Sequence, residues 1–141
     1  GGAAAWMLRV PSGPITPSGD APAATGWRAT TVLSGLEHPW SVAWLPPGDS
    51  AGELLITERP GRLRLVRGGA LVAAPIAGLG DIVAAGHAGL MDVSLHPRFA
   101  ENRLVYFTYA AGTAEANSTR LARGRLAEDG AALADVTVLH T

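Results

Sequence analysis

The sequence predicts an all-β chain carrying about two four-stranded blades of a β-propeller, and three observations predict it. From Trp27 onward, short β-type runs alternate with turn residues and no helical periodicity is sustained. A unit of four such runs occurs twice, about fifty residues apart, which is the period of propeller blades. The chain has 141 residues, whereas a ring of ~4 to 8 blades at this period needs at least ~200. The expectation is therefore an incomplete propeller, since two blades leave strand edges and apolar faces that further blades would cover.

The elements follow in order. Strands are predicted over 29–33, 41–45, 53–58, 62–66 and 70–74, then 90–95, 104–109, 119–126 and 134–139. The first has the β-branched run Thr30-Thr31-Val32, and 62–66 alternates Arg and aliphatic residues as a half-buried strand does. Turns are marked by Pro46-Pro47-Gly48, Pro60-Gly61, Gly68-Gly69 and Asp129-Gly130.

The repeat appears on laying the second half over the first. Val42-Ala43-Trp44-Leu45-Pro46 matches Val93-Ser94-Leu95-His96-Pro97 at an offset of 51, and Glu53-Leu54-Leu55-Ile56-Thr57 matches Arg103-Leu104-Val105-Tyr106-Phe107 at an offset of 50. Beyond that, the second copy carries a longer loop around 112–118, and both copies resume with an Arg-rich strand, a Gly turn and an apolar strand. A β-sandwich would fit the strand count, but its halves seldom share turn positions over so long a stretch.

Composition narrows the classes. A net charge of -1 gives no electrostatic reason to expect nucleic acid or an anionic membrane as partner. The absence of Cys excludes disulfides and thiolate chemistry, and every cationic residue among the eleven Lys and Arg is Arg. The apolar stretch over 3–10 is too short to span a bilayer. With the Pro, Gly, Ser and Ala that follow, residues 1–26 read as a flexible linker or leader remnant, and 27–141 as the propeller part.

Three segments, in order, carry a family resemblance: residues 35–46 (GLEHPWSVAWLP), 54–66 (LLITERPGRLRLV) and 86–109 (GHAGLMDVSLHPRFAENRLVYFTY). They resemble the opening blades of the soluble pyrroloquinoline-quinone-dependent (PQQ-dependent) glucose/sorbosone dehydrogenases, including the aldose sugar dehydrogenases. The resemblance implies a six-bladed propeller and oxidation of the C1 hydroxyl of an aldose to a lactone, with hydride passing to the quinone. It further implies calcium beside the quinone, a sugar substrate, an electron acceptor and a periplasmic or secreted location. The family's general-base His is expected beyond Thr141, so no catalytic residue is assigned in this chain, and His140 is a poor match for that motif. Where the glucose dehydrogenases carry Gly-Gln-x-Gly-Leu-Leu, this chain reads Gly86-His87-Ala88-Gly89-Leu90-Met91. His87 thus stands in place of a Gln that reaches quinone and substrate, and is the one cofactor-binding candidate.

Other readings stay open beside it. His87 could instead be a solvent-exposed loop residue. His87, Asp92 and His96 could be taken for metal ligands, but no metal site is assigned, and Asp92 and His96 fit turn-capping roles better. Glu58 and Arg59 read as a buried ion pair tying neighbouring strands, against the alternative of an acid and an anion clamp. Trp40 and Trp44, four apart, read as packing residues on one strand face, against a sugar-stacking role. The sequon Asn117-Ser118-Thr119 is given no weight. A propeller that binds a protein or glycan without catalysis is the alternative function.

Overall fold

The computed structural model describes Gly26, residues 30–47 and residues 52–141. The expected linker over 1–26 lies outside the described residues apart from Gly26. The chain divides into Gly1–Thr30 and Thr31–Thr141, and the second unit holds every regular element described. Its strands are β1 (Pro39–Trp44), β2 (Leu54–Glu58), β3 (Arg62–Arg67), β4 (Ala70–Leu71), β5 (Leu90–Leu95), β6 (Leu104–Gly112), β7 (Asn117–Leu126) and β8 (Leu133–His140). They form two antiparallel four-stranded meanders, β1-β2-β3-β4 and β5-β6-β7-β8, which are the two expected blades.

The first two strands of each blade repeat with a single offset of 51. Pro39 pairs with Glu58 and Val42 with Ile56; Leu90 pairs with Tyr109 and Val93 with Phe107. Each inner strand slips by one residue at the same place, between Pro39 and Val42 and between Leu90 and Val93, which is a β-bulge. A bulge frees a backbone N–H, and in both blades a threonine on the next strand caps it. Ser41 N–H donates to Thr57 Oγ1 at 3.0 Å, and Asp92 N–H to Thr108 Oγ1 at 3.1 Å. The offset of 50 read for the second strand is thereby corrected. Thr57 corresponds to Thr108, and a shift of one residue would have turned every side chain to the opposite face.

The blades pack face to face over one core. Leu55, Leu63 and Leu65 meet Leu90, Val93, Val105, Phe107 and Tyr109, all buried. Polar contacts cross the same interface: Thr57 Oγ1 donates to the Met91 carbonyl at 2.6 Å, and Val93 N–H donates to Ser41 Oγ at 3.4 Å. The connection from β4 to β5 is stitched to both sheets, with Ile76 N–H on Leu63 O at 2.8 Å and Val83 N–H on Ala110 O at 2.9 Å.

Three expectations of secondary structure need correction. The predicted strand over 29–33 is not formed: Ala29 lies outside the described residues, and 30–36 lacks regular structure. Leu33 and Leu36 instead pack on the second face of the first sheet, against Leu54, Ile56 and Val66, so its apolar residues mark a covering segment. The strand over 70–74 shortens to Ala70–Leu71, after which the chain leaves β3's edge for the connection to the next blade. The expected loop over 112–118 is mostly hairpin, since β6 and β7 pair out to Gly112 and Asn117. A four-residue helix, α1 (Phe99–Asn102), was too short to show periodicity; Arg103 ends it in the left-handed region, φ 56°.

Candidate functional site

Because the offset is constant, the segments entering β1 and β5 arrive at the same end of their blades. There each blade makes the same backbone bond: Arg59 N–H donates to His38 O at 3.0 Å, and Ala110 N–H donates to Gly89 O at 2.9 Å. His38, with φ 46°, occupies a conformation uncommon outside glycine, and Gly89 is its counterpart in the second blade.

The blades join at this end through Arg59. Its carbonyl accepts from Leu90 N–H at 3.0 Å, and its Nη1 donates to the Gly86 carbonyl. Gly89 permits that approach, since a Cβ there would stand 2.2 Å from the Arg59 oxygen. The loop bearing His87 closes as a β-turn, Ala88 N–H on Ala85 O at 2.8 Å. Gly86 supplies the positive φ, 58°, at the first central position, as a type II′ turn requires.

His38, Pro39, Trp40, Arg59 and His87 line an open cleft of about 290 Å³ at this end. Among the described residues, no carboxylate lines it. It offers two imidazoles, a guanidinium and an indole face, a donor-rich set suited to a planar, oxygen-bearing ligand. Arg59 Nε is buried and has no hydrogen-bond partner among the described residues. The exposed His87 ring and the Trp40 indole face fit a group such as a quinone carbonyl or carboxylate. Among the described residues, no group of three or more His, Asp and Glu could hold a metal ion, so calcium finds no comparable donor set there.

The structure separates the residues that sequence reasoning had paired. Glu58 is completely buried, but its partners are Arg62 Nε at 2.7 Å and Arg64 Nη1 at 3.2 Å. Arg59, weighed as the partner of Glu58, forms no ion pair with it among the described residues and instead lines the cleft. Burial desolvates the Glu58 carboxyl and works to raise its pKa. The hydrogen bonds from Arg62, the Glu37 amide and Arg64 outweigh that and hold it below the usual carboxylate range.

The bulge in β1 also separates the two tryptophans. Trp44 pairs with Leu54 on the second face, 66% exposed, while Trp40 lines the cleft, 52% exposed. Neither is a packing residue within the described structure. Trp40→Ala is therefore expected to change stability by no more than about 0.5 kcal/mol, to be checked by thermal unfolding.

His96 and Asp92 do not join His87 in the cleft. His96 Nδ1 accepts from Arg98 N–H at 3.0 Å and lies 2.9 Å from Asn102 Nδ2, which makes it a cap for the turn leading into α1. His140 sits exposed on β8, opposite Leu121. Asn117 opens β7, its Nδ2 donating to Thr113 O at 3.2 Å.

Comparison with known proteins places the chain. Residues 36–141 match the Glucose / Sorbosone dehydrogenase family. An uncharacterized protein of Synechocystis sp. is 52% identical over 120 residues, covering 79% of this chain and 28% of its own length. The aldose sugar dehydrogenase YliI of Escherichia coli is 40% identical over 107 residues, covering 75% of this chain and 27% of its own. The PQQ-bound aldose sugar dehydrogenase of Streptomyces coelicolor superposes with a TM-score of 0.66 at 23% identity, over 79% of this chain and 32% of that one. The chain thus spans less than a third of each, and its two sheets match part of the aldose dehydrogenase β-propeller. It is a member of the glucose/sorbosone dehydrogenase family.

Proposed function

We propose that the chain supplies the first two blades of a PQQ-dependent sugar dehydrogenase, which oxidises the C1 hydroxyl of an aldose to the lactone. The observation that carries this reading is the cleft in which His87, Arg59 and Trp40 meet. Residues 27–141 are the propeller part and 1–26 a linker or leader remnant. A periplasmic or secreted location is supported by family likeness; among the described residues no helix is long and apolar enough to cross a membrane.

Bound quinone would supply the hydride acceptor. The chain's own residues bind and orient. The His87 imidazole can donate to a quinone or sugar oxygen from one ring nitrogen while accepting from a hydroxyl at the other. Trp40 offers its exposed face for stacking against a sugar ring or a planar cofactor. The family's general-base His, the remaining quinone contacts and the calcium ligands are assigned to no residue of these two blades.

The test is dye-linked aldose oxidation by the complete protein, with and without added quinone and calcium. Activity requiring both supports the reading. A complete propeller without quinone-dependent activity contradicts it and leaves a protein- or glycan-binding module. In an active protein, His87→Ala is expected to weaken quinone binding or raise the sugar KM about tenfold, the worth of one or two hydrogen bonds, and His87→Gln to recover most of that loss.

A further inference from the structure

The constant offset supplies a comparison internal to the chain. The position of Arg59 in the first blade is that of Ala110 in the second, and both make the same backbone bond to the segment entering the inner strand. The blade therefore needs only a backbone N–H at this position, and alanine meets that need. The Arg59 guanidinium is extra to the architecture, and its Nη1 goes to the carbonyl of Gly86, next to His87.

We propose that Arg59 is a positioning residue that fixes the His87 turn at the cleft. The contact crosses from one blade to the next, and both of its ends are anchored. The Arg59 backbone is held by His38 O and Leu90 N–H, and the turn is closed by Ala88 N–H on Ala85 O. Without the guanidinium, the 85–88 turn keeps, among the described residues, that one internal bond and the strand following it. His87 then samples a wider range of positions, and a ligand that needs it in one place binds less well.

The proposal deepens the reading of His87 as a ligand contact and rests on it for its functional consequence, but the positioning itself can be measured without ligand. In the full chain, amide hydrogen exchange reads the turn at Ala88. Arg59→Ala is expected to speed exchange at Ala88 about tenfold or more, the loss of one hydrogen bond from a charged donor. Leu90, which bonds the Arg59 backbone oxygen, and Phe107 in the core are expected to keep their protection. Arg59→Lys, which retains a charged donor, recovers part of the Ala88 protection. Should Arg59→Ala fail to fold, Arg59→Gln and Arg59→Lys carry the same comparison.

In the complete protein, PQQ affinity is read by fluorescence quenching. Arg59→Ala and His87→Ala are each expected to weaken it about tenfold, and the double variant no further than either alone. Unchanged exchange at Ala88 in Arg59→Ala overturns the proposal, as do additive losses in the double variant, which would show Arg59 acting independently of His87. If His87→Ala leaves quinone affinity unchanged, the ligand-contact reading falls, and the Ala88 exchange alone decides whether Arg59 positions the turn.

Discussion

Glu58→Ala is expected to lower the stability of the chain by about 3–5 kcal/mol, the cost of removing one partner from a buried ion pair. The carboxylate sits with Leu54 and Ile56 on the sheet face covered by Leu33 and Leu36, and accepts from three donors: Arg62 Nε, Arg64 Nη1 and the Glu37 amide. Arg62 retains Glu37, to which its Nη2 donates at 2.7 Å, but Arg64 is left with only backbone carbonyls. The covering segment also loses its tie at Glu37. Urea denaturation with the slope held fixed measures the loss.

The same carboxylate gives the fold an acid limit. Its folded-state pKa lies below its unfolded value, so its contribution is fully present above the unfolded value, ~4.3, and is lost as pH falls through the lower, folded one. Thermal midpoints between pH 7 and pH 3 are expected to fall more steeply for the parent than for Glu58→Gln, which lacks the titrating group. Parallel pH profiles would contradict the assignment.

Gly89→Ala is expected to cost about 1–3 kcal/mol and to disturb the cleft beyond its effect on stability. The new Cβ would stand 2.2 Å from the Arg59 oxygen and 2.6 Å from its Cγ. Neither can withdraw freely, because the Arg59 backbone is tied to both His38 and Leu90. The blades must part at this end or Arg59 must leave Gly86. The corresponding position in the first blade, His38, carries a side chain, so the demand for glycine arises from the neighbouring blade's backbone and not from the blade itself. Chemical shifts of Ala88 and His87 are expected to move with the substitution, and those of Leu126 and Leu133, in the outer strands of the second blade, to stay.

The blades were legible because alternation and turn residues report local structure. Arg62 to Val66 alternates as β3 does, and Pro60-Gly61 and Gly68-Gly69 stand at its two ends. The bulges were not legible, since a one-residue slip leaves composition unchanged. Missing them cost the separation of Trp40 from Trp44; the common offset and the equivalence of Thr57 and Thr108 were lost separately, because the similar aliphatic runs of the second strands align almost as well one residue out of step. The run over 29–33 misled for a different reason: its β-branched residues suit a strand, but strand formation depends on an available edge, and this segment covers a sheet face instead. At the cleft, the motif around Gly86 to Met91 singled out His87. Arg59 and Trp40 were visible as residues, but their convergence with His87 is set by contacts between blades, which no local pattern encodes. A signal was nonetheless available, since the offset of 51 aligns Arg59 with Ala110 and shows a large cation where the repeat requires none.

The most direct test of the account is a crystal structure of the complete protein soaked with PQQ and an aldose. The account predicts quinone or sugar oxygens within hydrogen-bond distance of His87, with the ligand against Trp40 and Arg59 holding the Gly86 turn. Quinone bound elsewhere on the propeller, with this cleft filled by solvent alone, would contradict it.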